Sequence, residues 1–242
     1  MIDLRLGDCL EVMKTIESGS VDAVITDPPY GTTACKWDSV IPFEPMWEQL
    51  NRITKPNGAI VLFGSEPFSS ALRMSNIKNY KYDWIWEKNI PVNFVLANKR
   101  PMKYHENISV FYKKQPIYNK QMIERSESGK KRAGYKQSKR SKTSLTSFHL
   151  ERNKELDINL KNPSDIIYFK KENKYQHPTQ KPIALMEYLI KTYTNENETV
   201  LDFTMGSGTT MLACKNLNRN GIGVEMDTKY YAIAEARLQN NQ

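Results

Sequence analysis

Short apolar runs rich in β-branched residues alternate with amphipathic helical segments along most of this chain. Such alternation is typical of a mostly parallel sheet with helices on both faces, because parallel neighbours need a crossover segment between them. Two aromatic-rich segments, 80–89 and 106–114, are predicted to pair antiparallel at one side of the sheet, with a loop over 90–104. The other predicted strands cover residues 2–7, 21–26, 59–65, 199–203 and 221–226, and the predicted helices cover 9–17, 45–54, 66–76, 181–194, the segment after 206, and 228–240.

The predicted strand 21–26 stops at Asp27-Pro28-Pro29-Tyr30. The two prolines end the strand there, because neither has a backbone N–H and both have a fixed φ. The strand therefore presents an acid, two stiff carbonyl-bearing residues and an aromatic ring at its carboxyl end, which is the edge where open α/β sheets bind ligands. Taken alone, so short a motif is equally consistent with a strand followed by a rigid turn.

A glycine-containing turn, Gly206-Ser207-Gly208, follows the predicted strand 199–203. Glycines at such a turn let the backbone approach a ligand closely, and the helix that follows offers free N–H groups. Glu225 comes 19 residues after Gly206 at the end of the next strand, a spacing typical of an acid that binds ribose hydroxyls. Met211 stands where the dinucleotide fingerprint has its third glycine, so a plain tight turn in a Rossmann-like scaffold is the alternative.

A third predicted strand end lies at Gly7-Asp8. If it belongs to the same sheet, Asp8 could accept a hydrogen bond from an adenine amino group. It could equally cap the predicted helix 9–17, because aspartate is a favoured N-cap residue.

Positive charge is concentrated in one part of the chain. The whole sequence carries a net charge of +8, and residues 120–142 contain nine Lys or Arg against two Glu. Periodicity also fades from about 115 to 175, which indicates an insertion with a function of its own. A basic segment in an otherwise balanced protein predicts a polyanionic partner, with a solvated surface loop as the alternative.

The composition excludes several other classes of protein. The three cysteines, Cys9, Cys35 and Cys214, are far apart, and the three histidines are scattered, so neither a disulfide framework nor a metal site is indicated. No apolar run approaches the length of a membrane span, and the charged segment 1–13 has no signal-peptide core. We therefore expect a cytoplasmic protein of 242 residues without a metal or a membrane partner.

The motifs together resemble the β-class DNA amino-methyltransferases, which act on adenine N6 or cytosine N4. The matching segments are GDCLEVM, DPPYG, HPTQKP, LDFTMGSGTT and GVEMD, in that order. The resemblance implies a Rossmann-like, doubly wound, mostly parallel seven-stranded sheet in permuted motif order with an inserted target-recognition region. It also implies a prokaryotic or phage-infected cell. Residues 1–114 would form the catalytic half, 115–175 the target-recognition insertion and 176–242 the cofactor-binding half, with the two termini close together.

The resemblance implies S-adenosylmethionine as the cofactor and double-stranded DNA as the partner, with a homodimer as a further expectation. The implied catalytic residues are Asp27, Pro28, Pro29 and Tyr30. The implied cofactor-binding residues are Asp8, Cys9, Asp27, Thr179, Gln180, Lys181, Asp202, Phe203, Thr204, Gly206, Ser207, Gly208, Thr209, Glu225 and Met226. The implied DNA-binding residues are Lys130, Lys131, Arg132, Lys136, Lys139, Arg140 and Lys142.

These residue types suit the chemistry. An exocyclic amine is a poor nucleophile, and acceptors on both of its N–H groups, Asp27 and the Pro28 carbonyl, aim the lone pair outward. Methyl transfer moves positive charge from a sulfonium to the amine, and an anionic carboxylate beside the amine favours this transfer. The base must leave the duplex stack, and Tyr30 would stack on it. In this group Asp at the first motif position favours adenine. The family has Pro and Phe after the cofactor-motif aspartate, whereas this chain has Phe203 and Thr204.

Other functions stay open on the sequence alone. A cytosine-N4 methyltransferase is one alternative, because cytosine also carries a suitable amine. RNA and protein amine methyltransferases are another, because they also carry an x-Pro-Pro-Tyr turn. A non-enzymatic alternative is a cofactor-sensing DNA-binding module. The 5-carbon cytosine methylases are excluded, because they use a cysteine that follows a proline and none of the three cysteines here does.

Overall fold

The computed structural model describes residues 1–33, 38–134, 157–171 and 179–239. The strands are β1 Ile2–Leu6, β2 Val21–Thr26, β3 Thr54–Gly64, β4 Tyr80–Val92, β5 Lys103–Phe111, β6 Ile123–Glu124, β7 Leu160–Lys161, β8 Ile166–Tyr168, β9 Thr199–Asp202 and β10 Asn220–Glu225. The helices are α1 Cys9–Lys14, α2 Phe43–Ile53, α3 Phe68–Ser75, α4 Glu127–Gly134, α5 Ile183–Tyr193, α6 Thr209–Asn216 and α7 Thr228–Gln239, with a 3₁₀ turn at Phe94–Leu96.

Eight of the described strands form one sheet in the order β1-β10-β9-β2-β3-β5-β4-β8. The first five are parallel to one another, β5 is antiparallel to both β3 and β4, and β4 is parallel to β8. The predicted doubly wound α/β fold and its antiparallel aromatic pair are therefore confirmed. The sheet has one strand more than the seven expected, because β8, only three residues long, joins its edge.

Alternate residues of the central strands pack into two separate apolar cores. Ala23 and Ile25 of β2 belong to one core and Val24 to the other, as expected when successive side chains point to opposite faces. Helices α1, α2 and α3 cover one face, and α5, α6 and α7 cover the other. This three-layer arrangement places the carboxyl ends of β1, β10, β9, β2 and β3 along one edge.

Strand β3 begins earlier than the predicted strand 59–65. Its partner β2 pairs Val21 with Thr54 but Ala23 with Ala59, so the segment between Thr54 and Ala59 forms a bulge. Helix α2 ends at Ile53, one residue before the predicted end. The segment that was expected to form a turn between this helix and the strand instead forms the bulge within β3.

The two ends of the described chain lie near each other. Met1 and Gln239 line the same cleft, and the Tyr231 hydroxyl of α7 donates to the Leu4 carbonyl of β1 at 3.2 Å. The predicted proximity of the termini is therefore confirmed up to Gln239. No helix among the described residues is both long enough and apolar enough to cross a membrane.

The chain divides into two compact units. The larger contains Met1–Asn119 and Asp165–Gln242, and the smaller is Lys120–Ser164. Within the described part of the smaller unit, β6 pairs antiparallel with β7, and Arg125 donates to the Leu160 carbonyl at 2.7 Å. Helix α4 follows β6 along the chain. The smaller unit is shorter at both ends than the predicted insertion 115–175.

Candidate active site

The carboxyl end of β2 places Asp27 against two donors. The Tyr30 hydroxyl donates to one carboxylate oxygen at 2.5 Å, and the Lys181 ammonium donates to the other. One face of the Tyr30 ring stacks on Phe68 with centroids 5.1 Å apart. The Asp27 side chain keeps 20% of its surface exposed, so it faces the adjacent cavity and is not sealed in the core.

Lys181 and Asp27 are part of a longer buried chain of charges. Lys181 also contacts Glu106 at 3.4 Å, and Glu106 contacts Lys88 at 2.9 Å. Lys88 is 1% exposed and Lys181 7% exposed, and each ammonium lies over an aromatic ring, that of Trp86 and that of Phe63 respectively. Two lysines thus balance two carboxylates, as burial of charge requires.

These contacts set the protonation of Asp27 in the turn Asp27–Tyr30, the predicted catalytic turn. Burial raises the pKa of the Asp27 carboxyl, the Lys181 cation opposes that rise, and Glu106 adds to it. Burial acts on Glu106 in the same direction, but Lys181 and Lys88 outweigh it and hold its pKa at about 2. Burial lowers the pKa of Lys181, but Asp27 and Glu106 outweigh that effect and raise it, so Lys181 stays a cation beside Asp27.

Asp38 holds the loop that follows the catalytic turn. Its carboxylate accepts four successive backbone N–H groups, those of Tyr30 at 2.8 Å, Gly31 at 2.9 Å, Thr32 at 2.9 Å and Thr33 at 2.6 Å. Consecutive N–H groups that converge in this way form an anion-binding nest. Burial raises the pKa of Asp38, but the hydrogen bonds from residues 31–33 outweigh it and lower that pKa. Sequence reasoning missed Asp38, because the aperiodic loop 31–44 offers no signal for it.

We expect Asp38→Asn to loosen Tyr30. An amide oxygen keeps two of the four acceptor contacts at most, so kcat/KM for the methyl transfer that the sequence predicts should fall about tenfold and the free energy of unfolding by about 1–2 kcal/mol. Steady-state kinetics and urea unfolding measure the two effects. In the wild type the ionised Asp38 carboxylate stabilises the fold at every pH above the ordinary pKa of an aspartate. This stabilisation is lost as the pH falls through the lowered pKa that Asp38 has in the folded protein. A variant with wild-type values of both quantities would show that the nest does not position Tyr30.

The glycine turn faces Asp27 across the same sheet edge. Glu225, at the end of β10, accepts the N–H of Gly206 at 2.9 Å and the N–H of Asp227 at 2.8 Å. A carboxylate oxygen can accept more than one hydrogen bond, so Glu225 can also accept from hydroxyl donors. Burial raises the pKa of Glu225, and the bonds from the backbone of Asp227 and Gly206 oppose the rise.

The segment before α5 is bonded to this turn. The Ser207 hydroxyl donates to the Gln180 side chain at 3.1 Å, and the Arg237 guanidinium of α7 donates to the Ser207 carbonyl at 2.6 Å. The next residue, Lys181, is predicted to bind the cofactor. It lines the cavity, but its ammonium group donates to Asp27. A single short segment therefore contacts both halves of the site, through Gln180 on one side and Lys181 on the other.

The two residues that depart from the family pattern are accommodated in different ways. Phe203 is buried in the core that includes α1, although it also lines the cavity. The Thr204 hydroxyl donates to the Asp27 carbonyl at 3.0 Å and thus links the loop after β9 to the turn Asp27–Tyr30. Asp202 accepts from the Thr26 and Thr210 hydroxyls, and its burial raises its pKa to about 7.

A cavity of about 800 Å³ joins these groups. This volume lies in the range of small-molecule sites. Asp8 both lines it and caps α1, accepting the N–H of Leu10 at 2.9 Å, so its predicted capping role is observed. The predicted catalytic and cofactor residues on its wall are Asp8, Cys9, Asp27, Pro28, Pro29, Tyr30, Thr179, Gln180, Lys181, Asp202, Phe203, Thr204, Gly206, Ser207, Thr209, Glu225 and Met226.

Gly208 is the exception among the predicted cofactor residues. It is absent from the residues that line the cavity and has φ +76° at the start of α6, where an added Cβ would lie 2.8 Å from the Cβ of Ala234 in α7. The glycine at this position therefore permits the packing of α6 against α7, and its direct contact with the cofactor stays a prediction.

We expect Gly208→Ala to lower the free energy of unfolding by about 3 kcal/mol, because backbone strain and overpacking add. Gly19→Ala is the matched control. Gly19 has φ +67° but nothing within 4 Å of an added Cβ, so only the strain of about 1 kcal/mol applies. Chemical denaturation of both variants measures the difference, and equal losses would contradict the packing role.

The predicted DNA-binding residues are only partly described. Lys130, Lys131 and Arg132 lie on α4, where Lys131 and Arg132 are exposed and Lys130 contacts Glu127 at 2.7 Å. Lys136, Lys139, Arg140 and Lys142 lie outside the described residues. Within the described ranges, no group of His, Cys, Asp and Glu side chains could hold a metal ion. Burial raises the pKa of the Cys9 thiol to about 12.

Comparison with known proteins gives consistent matches along the whole chain. A model of the N6/N4 DNA methylase family matches residues 21–236. The type II methyltransferase M.HpaI of Haemophilus parainfluenzae is 28% identical, over 99% of this chain and 75% of that protein. The crystal structure of the M1.HpyAVI–SAM complex is similar over 98% of this chain and 100% of that one, with 30% identity and a TM-score of 0.65. The cytosine-N4-specific PvuII DNA methyltransferase, 18% identical over 98% of this chain and 86% of its own, has a TM-score of 0.71 and is similar in fold alone.

Proposed function

Since this chain belongs to the N6/N4 DNA methylase family, we propose that it transfers a methyl group from S-adenosylmethionine to N6 of adenine in duplex DNA. The observation that carries the proposal is the position of Asp27. Its partly exposed carboxylate opens into the cavity that also holds Glu225 and the glycine turn. An acceptor for an amine and an acceptor for ribose hydroxyls thus share one site.

The residues present fit the cofactor. Glu225 lines the cavity at the end of β10, and the Gly206 N–H holds its carboxylate in place. Asp8 and the backbone of Cys9 lie at the end of the neighbouring β1, where they would bind the adenine ring of the cofactor. When bound, the cofactor supplies an electrophilic methyl group on a sulfonium. Gln180 and Ser207 would close the site around the methionine end.

The catalytic turn would bind the target amine. Asp27 and the Pro28 carbonyl would each accept one N–H, and the Thr204 hydroxyl bonded to the Asp27 carbonyl keeps the turn from shifting. Lys181 occupies one Asp27 oxygen, so the amine would approach the remaining lone pairs. Tyr30, held on Phe68 by one ring face, would offer the other face to the extruded base. Positive charge that develops on the amine would then lie beside the Asp27 carboxylate.

Adenine as the target rests on Asp27 at the first position of the motif. Cytosine N4 carries a similar amine, and the same acceptors would bind it. The identity of the methylated base in the product therefore decides between the two targets.

We further propose that residues 115–175, which contain the unit Lys120–Ser164, recognise the target sequence. Exposed Lys131 and Arg132 on α4 suit DNA phosphates, and such contacts make binding depend on salt. A role in restriction-modification, in the cytoplasm of a bacterial cell, is suggested by the type II relative. Formation of a homodimer stays a prediction, and sedimentation velocity measures it.

One assay separates the enzyme classes. The wild-type protein is incubated with tritiated S-adenosylmethionine and, in parallel, with duplex DNA, RNA and a protein mixture. We expect incorporation into duplex DNA. Incorporation into RNA or protein in place of DNA would contradict the proposed substrate, and the absence of transfer to any of the three would contradict the enzyme itself.

A further inference from the structure

The hairpin between β4 and β5 extends past the sheet edge at which the cavity opens. Asn107 of β5 pairs with both Gly64, the last residue of β3, and Ile85 of β4. Strand β4 runs parallel to β2 and β3, because β5 is antiparallel to both β3 and β4. Residues 86–92 therefore continue beyond the carboxyl end of β3, by up to roughly 20 Å at ~3.3 Å per residue.

The base of this hairpin forms part of the cavity wall. Trp86, Val92 and Glu106 line the cavity, and Glu106 contacts Lys181 beside Asp27. The tip of the hairpin, residues 93–100, therefore rises directly from the wall of the site.

Backbone hydrogen bonds give the tip a defined shape. Asn93 has φ +71°, the Leu96 N–H donates to the Asn93 carbonyl at 2.9 Å, and the N–H groups of Lys99 and Arg100 both donate to the Leu96 carbonyl. In this turn Phe94 is 80% exposed and Val95 is 94% exposed. Two adjacent large apolar side chains that project from an ordered turn indicate a surface for a partner.

The charge beside these apolar side chains favours a polyanion. Lys99 and Arg100 are exposed, and no acidic residue occurs between Lys88 and Glu106. Proteins that open a duplex insert apolar side chains between base steps and bind the flanking phosphates with basic ones. The hairpin tip combines both kinds of side chain beside a pocket that must receive a base out of its stack.

We propose that residues 93–100 form a DNA-opening finger, in which Phe94 and Val95 fill the gap left in the base stack by the extruded target base. Lys99 and Arg100 bind phosphates next to that gap. The proposal rests on the proposed function, because it requires duplex DNA as the substrate, but it holds for either adenine or cytosine as the target.

The test combines Phe94→Ala with Val95→Ala. Sequencing of plasmid DNA methylated by the wild type first gives the modified site. The methylation rate is then measured on a duplex that contains this site and on the same duplex with a mismatched base opposite the target. We expect the double variant to be slower by about tenfold on the paired duplex and by less than about threefold on the mismatched one, because a mismatched base costs less to extrude.

Ile77→Ala is the matched control. Ile77 is 57% exposed and lies in the turn before β4, at the end of this strand that is far from the hairpin tip. The Ile77→Ala variant should therefore methylate both duplexes at the wild-type rate. The substituted side chains are exposed, so unfolding temperatures should stay within about 2 °C of the wild type.

Two results would contradict the proposed finger. In the first, the double variant methylates the paired duplex at the wild-type rate. In the second, its methylation rate is reduced by the same factor on both duplexes. If a wild-type dimer becomes monomeric in the double variant while its rate on DNA is unchanged, the occupant of the tip is a second copy of the chain. If the wild-type protein methylates no DNA, the proposed function itself is contradicted. If the wild type is active and the double variant is equally active, only the finger is contradicted.

Lys99→Ala with Arg100→Ala gives an independent measurement. Removal of one phosphate-binding side chain should reduce the slope of log affinity against log salt by about 0.9. We therefore expect a shallower slope for this variant in a DNA-binding titration. An unchanged slope would contradict the binding of phosphates by these two side chains.

Discussion

Asp27→Asn is expected to lower the rate of methyl transfer by about 10³-fold, because the variant has no carboxylate to face the developing positive charge on the amine. The amide has nearly the same shape, so the turn should keep its position through Tyr30 and the Thr204 bond to the Asp27 carbonyl. Binding of S-adenosylmethionine should change less than about threefold, because Glu225 and the glycine turn are untouched. Single-turnover kinetics and a cofactor-binding titration separate the two effects.

Asp22→Asn is the control for this variant. Asp22 lies on the same strand at its opposite end, where it contacts Lys55 at 2.6 Å and accepts the Thr199 N–H at 2.9 Å. It faces no part of the cavity wall, so the folded variant should transfer methyl groups at the wild-type rate. Retention of more than a tenth of the activity by Asp27→Asn would show that the anionic acceptor is dispensable.

Lys181→Met is expected to lower activity at neutral pH by roughly 10²-fold and to move the acidic limb of the pH profile to higher pH. In the wild type the Lys181 cation opposes the rise in the Asp27 pKa that burial and Glu106 cause. Without that cation the Asp27 pKa rises further. Activity that needs the carboxylate is lost as pH falls through that pKa, so in the variant the loss begins at a higher pH.

Several charged groups surround this pair and act on the same profile. Glu106 faces Lys181 from β5, Tyr30 donates to Asp27 within the turn, and Asp202 at the end of β9 and Lys171 after β8 add longer-range effects. Lys181→Met leaves the buried Asp27 and Glu106 carboxylates without their shared cation, so we also expect a lower unfolding temperature.

Two further variants separate protonation from loss of structure. Lys181→Arg keeps the cation and should keep the wild-type acidic limb. Adding Glu106→Gln to Lys181→Met removes the carboxylate that raises the Asp27 pKa, so the limb should move back toward lower pH. An acidic limb at the same pH in all variants would show that Lys181 does not tune Asp27.

The sheet and the two halves of the site were predictable because local signals specify them. Pro28 and Pro29 end β2 at the predicted residue, and parallel topology places that end beside the glycine turn. The contacts within the site were not predictable. Lys181 and Asp27 are 154 positions apart, and nothing in HPTQKP indicates that its lysine faces the catalytic turn and not the cofactor.

Other differences between the predicted and the observed structure also arise from contacts between residues that are far apart in the sequence. The segment 90–104 is predicted as a loop, yet β4 continues to Val92, which pairs with Lys103. Pro91 lies in the register shift between Glu87 and Val92, where a strand tolerates proline. Strand β8 is too short to show periodicity, and its place depends on pairing with β4. Lys88 lies within β4 and Glu106 within β5, so their ion pair depends on the register that pairs Trp86 with Glu106 across the two strands.

The most direct measurement is the identity of the methylated base. Duplex DNA that contains the modified site is incubated with the wild-type protein and S-adenosylmethionine labelled with deuterium in its methyl group, then digested to nucleosides for mass spectrometry. We predict that the label is recovered as N6-methyladenine and is lost with Asp27→Asn. Label recovered as N4-methylcytosine would contradict adenine as the target, and label recovered as 5-methylcytosine would contradict amine methylation through Asp27 altogether.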